Sequence, residues 1–224
     1  MPVGLHRLLQ EPLPVLVLHE GLRQPRQDAR VPGAQADRGR RVALPSMSGP
    51  SSVSFRVRDA GPGDVAAIER VRVAGWRAAY QGLVPEDVID RMRADDPRAL
   101  ASRRAALAKR GVFALLAEDP DGRAAGFCVG GPDRDTPYGG EIYALYVRPE
   151  HWSSGLGRDL LGRGVAGLRA RGHTEASLWV LEGNGRARRF YERAGLTATG
   201  ERRMLDIGGP VPELRYRIDL EVSA

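Results

Sequence analysis

Cysteine is almost missing from this chain: Cys128 is the only one in 224 residues. An internal disulfide framework is therefore excluded, and a reducing, cytoplasmic setting is the expectation. Lysine is equally scarce. Lys109 is the only one among 34 basic residues, so the positive charge is carried almost wholly by arginine. Aromatic residues make up only 6% of the chain. No apolar run approaches the ~18 residues of a membrane span, which argues against a membrane protein. Of the four histidines, His6 and His19 lie in a polar N-terminal stretch. Neither His151 nor His173 has a cysteine or carboxylate at metal-ligand spacing, so no metal site is expected.

What remains is an ordinary globular composition, 42% hydrophobic and 28% charged, long enough for one well-packed core. The net charge is +6 and the pI near 10.1. Half of that surplus belongs to residues 1–50. Further on, the arginines are interleaved with Asp and Glu. A scattered surplus of this kind reads as a solvated surface rather than a nucleic-acid face.

Residues 1–50 are rich in Pro, Gly, Gln and Arg, with one short apolar stretch, Leu13 to Leu18, broken by Pro14. The stretch is too short for a signal peptide. The segment reads as a disordered extension, or as a non-native one if Met47 is the true start. From residue 53 to 220 the pattern tightens into one domain. Val53, Phe55 and Val57 alternate as a strand, and Pro62 and Asp64 open a helix through Trp76. One or two helices follow over 85–110, starting at Pro85 and Pro97 and stopped by Gly111. Val112–Ala117 and Ala124–Val129 form a hairpin around Asp121-Gly122. Glu141–Val147 is a long strand, 156–171 a helix ended by Gly172, and Ala176–Leu181 another strand. A helix spans Arg186–Arg193 and stops at Gly195. Strands over 196–206 and 213–220 flank Gly208-Gly209-Pro210. This is a mixed α/β (α+β) domain.

The densest local signal is the junction from Glu141 to Leu161, where an apolar strand runs through a glycine-bearing loop into a helix. Free N–H groups and the positive dipole end of the first helical turn suit an anion. Gly155 and Gly157 leave those amides uncovered, and Arg158 adds charge, so the loop 153–158 (Ser153, Ser154, Gly155, Leu156, Gly157, Arg158) suits a pyrophosphate. Tight packing of a strand–helix turn would produce the same glycines. A P-loop lysine and the third glycine of a dinucleotide fingerprint are both missing, which disfavours a nucleotide-binding protein.

On these residues the sequence resembles the GCN5-related N-acetyltransferase (GNAT) family. That family's loop signature is Gln/Arg-x-x-Gly-x-Gly/Ala. Here it reads Trp152-Ser-Ser-Gly155-Leu-Gly157, departing at its first position. Asn184 followed by Phe190-Tyr-Glu-Arg-Ala-Gly-Leu196 matches the close of the family's acetyl-CoA site. Trp76-Arg-Ala-Ala-Tyr80-Gln-Gly82-Leu-Val-Pro85 is frequent in bacterial members near the substrate cleft. The resemblance covers about 53–220. It implies a mostly antiparallel six- to seven-stranded sheet flanked by helices, with acetyl-CoA as cosubstrate and a small-molecule or peptide amine as acceptor. A homodimer is common in the family, though no interface is legible here.

The resemblance also implies roles. The backbone of Leu145, Tyr146 and Val147 would pair with pantetheine, and a bulge there would aim an N–H at the thioester oxygen. Asn184 and Tyr191, about two turns apart on one helix face, would line the cofactor gap, with Tyr191 protonating the departing thiolate. Amphipathic packing for Tyr191 and a helix N-cap for Asn184 are the plainer readings. Glu141 is the candidate base. It shares a strand face with positions 143, 145 and 147 by simple alternation. A solvated strand-end carboxylate is the alternative. Trp76, Tyr80 and Tyr143 line either the substrate cleft or the core. Cys128 reads as core, not nucleophile. A catalytically silent acyl-CoA-binding regulatory module would carry the same loop.

Overall fold

In the computed structural model the described residues are 54–136 and 139–220. The expectations for residues 1–50, and the placement of Val53 in the first strand, lie outside them. Seven strands and five helices follow in chain order: β1 Arg56–Ala60, α1 Val65–Ala79, α2 Glu86–Arg91, α3 Pro97–Leu107, β2 Phe113–Glu118, β3 Ala124–Pro132, β4 Gly140–Val147, α4 Leu156–Arg169, β5 Glu175–Leu181, α5 Gly185–Arg193, β6 Thr197–Asp206 and β7 Pro210–Asp219. One sheet holds all seven strands in the order β1-β2-β3-β4-β5-β7-β6. Every pairing is antiparallel except β4 with β5.

Local chemistry sets the boundaries. Asp64, just ahead of α1, accepts the Gly61 N–H at 2.9 Å and pairs with both terminal nitrogens of Arg58. Val65, Ile68, Val71 and Trp76 then recur on the face of α1 that is buried against the sheet. Asp96 caps α3 by accepting the Arg98 N–H at 2.8 Å, with Pro97 at the first helical position. α3 is tied to α1 through Glu69, which is fully buried and ion-paired to both Arg72 and Arg103. A buried carboxylate is tolerated only with such partners.

α4 packs across one face of β3 and β4, and α1 across the other. The α4 contact is close. A Cβ at Gly164 would lie 2.7 Å from Cys128 Sγ and 3.1 Å from Ile142 Cδ1, so only glycine lets the helix backbone approach this near. Burial pushes the Cys128 thiol up to about 12, leaving it a core residue.

The register of β3 against β4 slips once, between Val129↔Ala144 and Gly130↔Ile142. Tyr143 is thus an extra residue in β4, a β-bulge. The slip corrects the expected face. Leu145 pairs with Cys128, which together with Ile142 faces α4. Tyr143 lies over Gly131, the register partner of Glu141. Positions 141 and 143 therefore share one face, while 145 and 147 have turned to the other.

Candidate active site

β4 and β5 begin side by side and then separate. They pair only at Gly140↔Ala176 and Glu141↔Ser177, whereas β5 goes on to pair with β7 along its whole length. Beyond Glu141, β4 has a strand partner on its β3 edge alone. The Arg148 N–H bonds to the Ala125 carbonyl at 2.8 Å, toward β3. By strand alternation, Val147 and Leu145 turn their amides to the opposite edge, where β5 has moved away. An open strand edge inside a fold is a ready template for an extended polar chain.

At the end of this edge the chain turns into α4. Gly155 stands at the helix N-cap with φ 87°, a conformation that favours glycine, and Ser153 holds φ 65° just before it. Ser154 Oγ donates to the His151 carbonyl at 2.8 Å and accepts the Leu156 N–H at 3.3 Å. The first bond of the helix runs from Asp159 N to Gly155 O, so the amides of Gly157 and Arg158 precede the internal ladder. The Arg158 side chain is exposed beside a shallow hollow of about 530 Å³.

On the far arm Asn184 caps α5, its side chain accepting the Ala187 N–H at 2.9 Å. Tyr191 is fully buried, and its hydroxyl has no hydrogen-bond partner among the described residues. Burial first, then the neighbouring Tyr146 and Cys128, hold its pKa well above that of a free phenol, so the hydroxyl stays protonated. A buried, orphaned O–H carries a desolvation cost.

Glu141 is also fully buried, but its carboxylate is engaged. Arg134 donates to Oε2 at 2.8 Å and to Oε1 through a second nitrogen, a bidentate pair. The Arg134 guanidinium also stacks over the Tyr143 ring at 4.9 Å, and the Tyr143 hydroxyl donates to the Pro132 carbonyl. Trp76 and Tyr80 lie in the core behind the cleft rather than on its surface. The Trp76 indole donates to the Tyr146 hydroxyl at 2.8 Å, and its ring meets that of Tyr80, the residue after α1, edge-on at 4.5 Å.

The structure gives contacts at the site that the sequence did not show. Trp152, where the loop departs from its signature, donates its indole N–H to the Val147 carbonyl at 2.8 Å. Arg186, from the start of α5, stacks over the Trp152 ring at 5.4 Å. The stacked pair lines a cleft of about 280 Å³ together with Asn184, Ala79 and Leu83. The departure from Gln or Arg was the available signal. Glu213, in β7, is fully buried with Arg203 Nε on Oε2 at 3.0 Å, and nothing in its sequence surroundings marks it.

The splayed strands, the glycine loop at the head of α4 and the capped helix α5 together define an acyl-CoA-dependent acetyltransferase. Residues 76–196, more than half of the chain, match the Acetyltransferase (GNAT) family. The chain belongs to that family, whose acetyl donor is acetyl-CoA. Among curated relatives, the uncharacterized N-acetyltransferase YuaI of Bacillus subtilis is 33% identical over 130 residues, which is 57% of this chain and 72% of YuaI. Mycothiol acetyltransferase of Beutenbergia cavernae is 43% identical over 84 residues, but that stretch is 37% of this chain and only 27% of that protein. Among solved structures, yncA from Salmonella typhimurium, which contains acetyl-CoA, superposes with a TM-score of 0.56 at 24% identity, covering 76% of this chain and 96% of yncA. Among the described residues no helix is long and apolar enough to cross a membrane.

Proposed function

We propose that this chain moves the acetyl group of acetyl-CoA onto a primary amine by direct attack, with both substrates bound together. The observation that carries this reading is the open edge of β4, with the amides of Leu145 and Val147 turned to the side that β5 has left, beside the buried and unpartnered hydroxyl that Tyr191 carries on α5. These groups fit an acyl-CoA. The edge would hold the pantetheine amides. The 153–158 loop and Arg158 would hold the pyrophosphate, and Asn184 and Tyr191 would flank the sulfur end. Bound there, acetyl-CoA supplies a thioester carbonyl and a thiolate leaving group.

The residues of the chain do the rest. A backbone N–H on the open edge, just past the bulge at Tyr143, donates to the carbonyl oxygen as negative charge grows on it. Such a donor is typically worth ~2.7–4 kcal/mol of barrier. Tyr191, kept protonated by burial, gives its proton to the departing sulfur. Glu141, fixed by Arg134, assists loss of the amine proton from the acceptor side. The matched stretch of the mycothiol enzyme covers too little of that protein to carry its acceptor here, so the acceptor class is a primary amine on a small molecule or a peptide.

A thermal shift of the full chain with acetyl-CoA, CoA and ATP tests the cofactor. Binding at one hundred times Kd adds about 2.7 kcal/mol, so the two CoA species should raise the melting temperature and ATP should not. Free-thiol release should then appear with members of a panel of butylamine, ethanolamine, glucosamine and lysine. Stabilisation by CoA without turnover on any amine would favour the silent binding module instead.

A further inference from the structure

Two buried carboxylates lie on the sheet face that carries Tyr143, and they are not equivalent. Glu141 has both oxygens held by Arg134. Glu213 has Oε2 held by Arg203, while Oε1 has no hydrogen-bond partner among the described residues, although the residue is fully buried. Glu213 sits in β7 opposite Leu181, at the end of β5 that lies farthest from β4. By register Glu213 lies on the same sheet face as Glu141, and the charges of Arg134 and Glu141 both act on it.

A second orphan lies beside it. The Trp179 indole N–H is buried and unpartnered. The Arg203 guanidinium that holds Glu213 also covers the Trp179 ring at 4.1 Å. One acceptor and one donor, both desolvated and both next to a single arginine, are costly to leave unpaired. A ligand with an N–H donor satisfies the first. The flanking guanidiniums of Arg203 and Arg134 are themselves part-exposed, so they can shift to admit it.

We propose that Glu213 is the group that receives the acceptor: its free Oε1 binds the ammonium form of the amine and takes one proton from it. This rests on the acetyltransferase reading above. The balance is simple. The ammonium passes a proton to Glu213 and keeps its electron pair. The N–C bond then forms and the C–S bond breaks. The second amine proton ends on the sulfur by way of Tyr191, and Glu213 returns its own to water. Glu141 assists at a distance, because a second negative charge raises the proton affinity of Glu213. A buried carboxylate near a like charge is a suitable receiver for an amine that is cationic at neutral pH.

The test uses the alkylamine from the panel that the full-length protein turns over fastest. Glu213→Gln should lower kcat/KM at pH 7 by about 100-fold while the CoA-induced thermal shift stays unchanged. The pH profile decides the role. The variant should use only amine that is already neutral, so log kcat/KM should climb with pH toward the amine's own pKa, whereas the wild type levels off well below it. Glu213→Asp keeps the charge and should retain the wild-type plateau at reduced height, which covers the case in which the Gln variant does not fold. An unchanged profile in both variants overturns the proposal, as does a plateau lost in Glu141→Gln but kept in Glu213→Gln. No turnover by the wild type on any amine would instead sink the acetyltransferase reading itself.

Discussion

Tyr191 is the proposed acid of the site. Its hydroxyl is protonated, and being both buried and unpaired it costs stability until a partner reaches it. Tyr191→Phe should fold and bind CoA as the wild type does. Its kcat should fall by about 10²- to 10⁴-fold, the usual contribution of a positioned acid, with steady-state kinetics as the readout. Glu213 makes a second residue-scale prediction. Burial, opposed by Arg203 and Arg134 and reinforced by Glu141, holds its pKa above the ordinary 4.5. In the window above 4.5 the native state keeps a proton that the unfolded chain has lost, so stability falls as pH rises through that window. Glu213→Gln has no such loss. Melting curves should show the variant gaining on the wild type as pH rises above 4.5; a gap that does not change with pH would contradict this.

Among the elements, α4 and β4 position everything else, and they were not equally legible. The glycine loop and α4 could be read because their glycines interrupt an apolar run with a recognisable spacing, and Gly155 does adopt the left-handed backbone that demands it. The bulge at Tyr143 could not. Ile142, Tyr143, Ala144 and Leu145 are all apolar, so alternation carries no signal there, and the slip appears only in the register with β3. Glu213 was missed for a similar reason. Its partner Arg203 lies ten positions away across the β6–β7 hairpin, and no local pattern joins them. Trp152 stands where the loop departs from the family's Gln or Arg. In the fold its indole holds the Val147 carbonyl on the very edge that opens. The tight seat of α4 is testable. Gly164→Ala should destabilise by about 1–3 kcal/mol through overpacking against Cys128. Adding Cys128→Ala should restore part of the loss. Equal, additive losses in a denaturant double-mutant cycle would refute the contact.

At the scale of the whole molecule, the sheet is one continuous surface whose two halves join by only two register pairs. That weak seam is where a long, flexible cosubstrate can lie with its amides paired and its phosphates at a helix terminus. On the proposal above, the acceptor would approach from the face carrying Glu141, Tyr143 and Glu213. The order of elements along the chain and the glycine turn ahead of α4 followed from hydrophobic pattern and turn residues, while the sheet was implied by the family resemblance. The acceptor side did not, because it is assembled from side chains far apart in the chain. Amide hydrogen exchange of the full protein with and without acetyl-CoA tests the central claim most directly. Protection should appear on the β4 segment 145–147 and at the head of α4, 156–158. Unchanged exchange at both segments under saturating acetyl-CoA would contradict the account.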